Sequence, residues 1–102
     1  MNLFIDDIRN PVDSKNWIIA RNSKDAIKII KNDFPQKISF DHDLGGDDTA
    51  MNVVNFIIDA TLDKKIAIPV NFEFFVHSAN PVGAKNIKTK LNNFLLFLKH
   101  FG

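Results

Sequence analysis

The sequence predicts a single α/β domain over residues 1–102, with three layers and a mostly parallel sheet of four or five strands. Short apolar segments alternate with segments of helical spacing, which is the order of β-α units. The first apolar segment, residues 2–6, is apolar on both faces, as expected of a central parallel strand. Three of these segments end in polar clusters. Because the chain is too short for five complete β-α units, we expect a truncated version of the doubly wound fold.

The first half of the chain contains three predicted strands and one helix. After the strand at residues 2–6, the Asn-Pro pair at residues 10–11 disfavours a helix, so the first connection is expected to be a loop. Residues 17–20 form the second strand and residues 38–40 the third. Ser23 can cap the helix that lies between them.

The second half contains two predicted helices and one strand. The first of these helices can be capped by one of three loop residues, Asp47, Asp48 or Thr49. Residues 64–71 are expected to be a connector, in which Pro69 argues against a central strand but allows a short edge strand. Residues 72–76 form the fourth strand and residues 83–99 the last helix. Right-handed crossovers then give the strand order 2-1-3-4.

The last helix carries more apolar side chains than one buried stripe needs. Leu96, Phe97 and Phe101 widen its apolar band. Two explanations stay open at this point: the helix packs in a deep groove, or it forms a homodimer contact, since exposed apolar surface often marks an interface.

The composition limits the classes of function. Hydrophobic residues make up 45% of the chain and charged residues 25%, which is ordinary for a globular protein. There is no cysteine, which excludes a disulfide framework, a thiolate zinc site and a thiol nucleophile. The net charge of +1 gives no global field that would attract duplex DNA. We find neither an apolar run of membrane-spanning length nor a signal-peptide pattern, and expect a cytoplasmic protein, in the host cytoplasm if the gene is phage or viral.

Polar side chains follow three of the predicted strands, and parallel strands would bring them to one edge of the sheet. The first strand is followed by Asp6, Asp7 and Arg9, the third by Asp41, His42 and Asp43, and the fourth by His77, Ser78 and Asn80. The glycine pair at residues 45–46 lets the chain leave the sheet so that the central group can face a cleft. The pattern therefore predicts a metal-dependent site for a phosphate group.

Adjacent carboxylates at Asp6 and Asp7 need a counter-charge, which Mg²⁺ or Mn²⁺ would provide. Asp41 and Asp43 are further candidate ligands. His42 is a candidate general acid, general base or ligand. The alternative is that these residues cap turns or are solvated.

The remaining candidates would hold phosphate or transfer protons. Ser78 offers a hydroxyl, and Asn80, Lys85 and Asn86 lie around the start of the last helix, where backbone amides favour anions. His77 is a second candidate acid or base, although a lone histidine of this kind can also be a satisfied core residue.

The three polar segments, FIDDIRNP, ISFDHDLGG and VHSANPVGAKNI, resemble the signature blocks of the cyclic-phosphate-processing receiver-like domains. That family is similar to the receiver domains of two-component signalling. The resemblance covers nearly the whole chain. It implies a receiver-like, flavodoxin-like fold and an activity on cyclic phosphates, either at RNA ends or in nucleotides.

The resemblance also implies roles for single residues. Asp6 and Asp7 match the acid pair that holds Mg²⁺, and Asp41 matches the aspartate that accepts phosphate in ordinary receivers. Asp43 lies where a backbone carbonyl reaches the metal, and Ser78 matches the small hydroxyl residue after the fourth strand. There is no room for the final strand with its phosphate-binding lysine, which Lys85 could replace. Arg9, His42 and His77 are additions of the cyclic-phosphate branch.

Two functions follow as hypotheses. The first is a metal-dependent phosphodiesterase that opens a cyclic phosphate; either His42 or His77 is the base, and either water or Asp41 attacks. Arg9, Ser78 and Asn80 would hold the phosphate oxygens. The second is a non-catalytic module that accepts phosphate on Asp41 or binds a cyclic nucleotide without cleaving it.

Overall fold

A computed structural model describes residues 1–101 as one parallel sheet with three α-helices. The strands are β1 (Asn2–Ile5), β2 (Ile18–Ala20), β3 (Lys37–Phe40) and β4 (Glu73–Val76), and a short 3₁₀ turn at Ser14–Asn16 lies between the first two. The helices are α1 (Ser23–Asn32), α2 (Met51–Leu62) and α3 (Pro81–Phe101). The strand order is β2-β1-β3-β4 and every pair is parallel, so the predicted class and strand order are confirmed.

The three helices cover one face of the sheet. Alternate strand residues such as Leu3, Ile5 and Phe40 are fully buried beneath them, in one core with residues from each helix. On the opposite face, Phe4 is 8% exposed and makes a T-shaped contact with Trp17, which lies just before β2. The predicted third layer is reduced here to the irregular segment between β1 and β2, because the Asn-Pro pair after β1 disfavours a helix, and Phe75 on the same face stays 46% exposed.

Several boundaries differ from the prediction. The N-cap of α1 is Asn22, whose side chain accepts the N–H of Asp25, and Ser23 is the first helical residue. The N-cap of α2 is Ala50, which makes no side-chain capping bond. The connector at residues 64–71 contains no strand, and α3 begins earlier than expected, at Pro81.

Asp48 joins the starts of two helices. Its carboxylate accepts the backbone N–H of Ser23 at 2.8 Å, the Ser23 hydroxyl at 2.5 Å and the side-chain amide of Asn52 at 2.9 Å. Burial alone would raise the pKa of Asp48, but these hydrogen bonds hold it below the usual 3.8. Asp48, one of the three loop residues predicted to cap α2, therefore satisfies the first turn of α1 instead and contacts α2 only through the side chain of Asn52.

No helix among the described residues is both long enough and apolar enough to cross a membrane.

Asp48→Asn is expected to lower the free energy of unfolding at pH 7 by about 1–2 kcal/mol, because charge-assisted hydrogen bonds to Ser23 are lost. The neighbouring Asp47→Asn, at an exposed position, is the matched control and should change it little. The pKa of Asp48 is lowered in the folded state, so this stabilisation is present above about pH 3.8 and lost as the pH falls further. Urea unfolding of the three proteins at pH 7 and pH 3 checks this; an undiminished difference at pH 3 would contradict it.

Candidate active site at the carboxyl edge of the sheet

The four strands end at one level. Ile5 is paired with Ala20 and with Phe40, and Phe40 with Val76. The residues that follow, Asp6, Arg21, Asp41 and His77, are all polar and emerge side by side. This edge is where open α/β sheets bind ligands.

Three carboxylates form the centre of the site. One oxygen from each of Asp6, Asp7 and Asp41 lies within 4.8 Å of the others. Asp6 and Asp41 are buried and Asp7 is half-buried. Three hard oxygen donors at this spacing fit a divalent cation such as Mg²⁺ or Mn²⁺, with further positions left for water or substrate.

Asp6 is fully buried, and its carboxylate is nevertheless kept charged. Oδ1 accepts the backbone N–H groups of Ile8 at 3.0 Å and Arg9 at 2.8 Å, and Oδ2 accepts Nε of Arg9 at 2.9 Å. Burial would raise the pKa of Asp6, but these bonds, a further one from His77 and the charge of Arg9 together lower it below 3.8. The loop after β1 is therefore folded around this carboxylate.

Arg9 lies between the two buried acids. Its Nη2 is 3.5 Å from Oδ2 of Asp41 and donates to the backbone carbonyl of His77 at 3.2 Å. The side chain is 50% exposed, so part of its planar fork faces the open side of the site. An arginine so placed can neutralise the carboxylates and still contact a phosphate oxygen.

His77 is held on both ring nitrogens. Its ring stacks on Phe4 with centroids 4.3 Å apart, Nδ1 lies 2.7 Å from the Ser39 hydroxyl, and Nε2 lies 3.1 Å from Oδ2 of Asp6. Burial lowers the pKa of His77 below 6.5, and this outweighs the opposing effect of Asp6. A neutral imidazole that donates from Nε2 to Asp6 and accepts the Ser39 O–H at Nδ1 satisfies both contacts. His77 therefore orients Asp6.

A hydrogen bond to a carboxylate holds the ring of His42 at one nitrogen, Nδ1. Its Nδ1 lies 2.9 Å from Oδ1 of Asp43, and the other Asp43 oxygen accepts the side-chain amide of Asn80 at 3.3 Å. The ring is 13% exposed and packs against Gly83 in the first turn of α3. Asp43 therefore lies beside His42 and is not one of the three carboxylates of the cluster.

The loop after β3 explains why Asp43 lies apart from Asp41. Gly45 and Gly46 have positive φ values of 92° and 54°, and the chain reverses there so that Asp43 pairs with Thr49. The returning chain donates the Ala50 N–H to the carbonyl of His42 at 2.8 Å. The turn directs Asp43 away from the acid pair and toward α3.

The four predicted phosphate-binding residues lie toward α3. Ser78 accepts the N–H of Asn80 at 3.0 Å, and Asn80 accepts the N–H of Gly83 at 3.0 Å, so Asn80 caps α3. Lys85 and Asn86 are exposed and line a groove between α2 and α3. Of the four, Asn80 contacts a residue of the site, since its side-chain amide donates to Oδ2 of Asp43 at 3.3 Å.

Arg21 is a site residue that the sequence did not reveal. Its Nη1 donates to the carbonyls of Arg9 at 2.7 Å and Asp6 at 3.2 Å, and its Nη2 donates to Oδ1 of Asn10 at 2.6 Å. These bonds hold the loop that carries the first acid pair. Its place directly after the second strand was the available signal, whereas Ser39 lies inside an apolar strand and gave none.

Gly83→Ala is expected to destabilise the protein by about 1–3 kcal/mol, because the added Cβ would lie 2.6 Å from Cδ2 and 2.7 Å from Nδ1 of His42. In a His42→Ala background the clash is absent, and the same change should be neutral or stabilising by up to about 1 kcal/mol, since alanine favours a helix. Urea unfolding of the four proteins checks this. Equal effects in both backgrounds would contradict the contact between the two residues.

A family model for the cyclic-phosphate processing receiver domain matches residues 1–93. No curated protein and no solved structure gives a significant match. The matched range contains all four strands and every side chain of the site described above. The chain therefore belongs to the cyclic-phosphate processing receiver domain family.

Proposed function

We propose that this chain is a metal-dependent phosphodiesterase that opens a cyclic phosphate ester, either at the end of an RNA or in a nucleotide. The observation that carries the proposal is that a three-carboxylate cluster and the oriented His42 imidazole follow neighbouring strands at one edge of the sheet. Membership of a cyclic-phosphate processing family supports the choice of substrate.

The reaction consumes one water. The water oxygen forms a bond to phosphorus, one of the two phosphorus–oxygen bonds to the ribose breaks, and the ring opens to a phosphate monoester. One proton leaves the water and one proton reaches the released ribose oxygen, so no other reactant is needed.

Asp6, Asp7 and Asp41 would hold the divalent cation. When bound, it would supply Lewis-acid polarisation of the phosphate and make water easier to deprotonate. The low pKa of Asp6 supports this role, because a ligand carboxylate has to be ionised.

We assign proton transfer to His42. Asp43 engages Nδ1 and fixes the ring, so Nε2 can accept the proton of the attacking water and then deliver it to the ribose oxygen. His77 has both ring nitrogens engaged and a lowered pKa, which supports a role as a positioning residue for Asp6.

Arg9 is the side chain best placed to hold the phosphate. It is half exposed and borders Asp6 and Asp41, so its outer donors face the position where negative charge develops. The side-chain oxygens of Ser78 and Asn80 accept backbone N–H groups near the start of α3, and we give them a supporting role.

A second candidate function rests on Asp41 itself. It follows the central strand β3, is buried, and accepts the N–H of His42 at 2.9 Å with one oxygen while the other faces Arg9. An aspartate so placed could accept phosphate as in receiver domains, or the site could bind a cyclic nucleotide without cleaving it.

The purified protein is expected to add one water to at least one member of a panel of 2′,3′- and 3′,5′-cyclic nucleotides, cyclic dinucleotides and RNA with a cyclic-phosphate end. Activity should require Mg²⁺ or Mn²⁺ and disappear with a chelator. His42→Ala should lower kcat by about 10²–10⁴-fold, because proton transfer is lost. Mass spectrometry of the products checks this, and His100→Ala, at the exposed end of α3, is the matched control with an unchanged rate.

The same panel separates the alternatives. If every cyclic substrate survives while a small acyl phosphate labels the protein, and Asp41→Asn removes the label, the phosphoacceptor function replaces the proposal. If a cyclic nucleotide is recovered intact from the denatured complex, the chain is a binding module.

A further inference from the structure

Positive charge is concentrated on α3. The helix contains four lysines and no acidic residue, although the whole chain has a net charge of only +1. The rest of the chain is therefore acidic on balance. Among the three helices α3 thus has the largest net positive charge, which favours contact with a polyanion.

One stripe of α3 begins at the candidate active site. Successive residues of an α-helix are rotated by about 100° about the helix axis. The stripe is defined as the residues between positions 83 and 97 that fall within a sector of about 80° around that axis. Its members are Gly83, Asn86, Lys90, Asn93 and Phe97. Because Gly83 contacts the ring of His42, the N-terminal end of the stripe lies at the proposed base. From Gly83 to Phe97 the stripe extends over fourteen residue steps, about 21 Å of helix, which is enough for several nucleotides.

Three members of the stripe, Asn86, Lys90 and Asn93, line a groove between α3 and the start of α2. Met51 lies across the groove from α3, and it directly follows Ala50, which is bonded to the His42 carbonyl. Further along α3, Nζ of Lys90 donates to Oδ1 of Asn55 on α2, across the groove. The groove therefore begins one residue from the segment that bonds to His42, and its α3 wall presents lysines, amides and a hydroxyl, namely Lys85, Asn86, Thr89, Lys90 and Asn93.

An exposed aromatic ring lies at the far end of the stripe. Phe97 is 45% exposed, and its ring is supported by Phe94, with centroids 6.2 Å apart, and by Phe101, with centroids 5.5 Å apart. A ring held on one side by other rings, with water on the other, offers a face on which a base can stack.

We propose that this groove binds the single-stranded RNA whose terminal 2′,3′-cyclic phosphate enters the site. Lysines along a groove bind phosphates, and an exposed ring stacks a base, which together are the features of single-strand binding. A free cyclic nucleotide would leave the groove empty, whereas an RNA end has a strand that continues away from the reacting group. The expectation that the strand ends in a cyclic phosphate rests on the proposed function, whereas binding of the strand itself does not.

Binding is measured with a fluorescent single-stranded RNA of eight uridines ending in a 3′-phosphate, which resembles the product, by anisotropy in EDTA at several salt concentrations. Phe97→Leu should weaken binding at least about fivefold through lost stacking. Lys90→Gln should weaken it and reduce the salt slope by about 0.7. Phe75→Leu on β4, at 46% exposure, and Lys28→Gln on α1 are the matched controls and should change neither quantity.

The outcomes distinguish this inference from the proposed function. If the RNA binds through Lys90 and Phe97 but cyclic ends remain intact, the groove is confirmed and the hydrolase proposal fails. If cyclic mononucleotides are hydrolysed as fast as RNA ends and the groove variants behave like their controls, the hydrolase stands and the groove assignment is overturned. Absence of RNA binding, together with a dimer that Phe97→Leu dissociates in gel filtration, would identify the surface as a contact between two copies and also overturn the inference.

Discussion

The buried charge of Asp6 is the constraint around which the carboxyl edge of the sheet is arranged. An ionised carboxylate without accessible surface is strongly unfavourable unless hydrogen bonds and a cation compensate it. The loop after β1 turns two backbone amides toward it, Arg9 supplies the charge, and His77 supplies a further donor. The position of each of these groups is therefore tied to the stability of the fold.

Each compensating group is itself held by a second residue. Arg21 fastens the carbonyls of the loop that carries Arg9, while Phe4 and Ser39 hold the ring of His77. Contacts of this kind, made to the residues that line a site, keep those residues in one geometry. The same β-strands that build the core also provide these contacts, since Phe4 and Ser39 lie on the face of the sheet opposite the helices.

The sequence predicted the strand order and the polar strand ends better than the helix caps and the contacts of the loop residues. Strand order and the polar strand ends follow from apolar periodicity and crossover handedness, which are local or general rules. Helix caps were predicted less well, because Asp48 finds its partner in Ser23, 25 residues earlier. The sequence predicts Asp43 beside Asp41 as a candidate metal ligand, whereas the reversal at Gly45 and Gly46 directs Asp43 toward α3. Which partner a loop side chain chooses depends on tertiary contacts that no local pattern contains.

The segment from Asp41 to Ala50 is bonded at its start, its middle and its end. His42 contacts Asp43, Asp48 binds Ser23, and Ala50 returns to the His42 carbonyl. These bonds reduce the conformational entropy that the segment would lose on binding a ligand, because they already restrict its backbone and the side chains of His42, Asp43 and Asp48. Association with the proposed cyclic-phosphate substrate would therefore resemble docking onto a rigid surface, with affinity limited by the fit of the phosphate group rather than by closure of a loop.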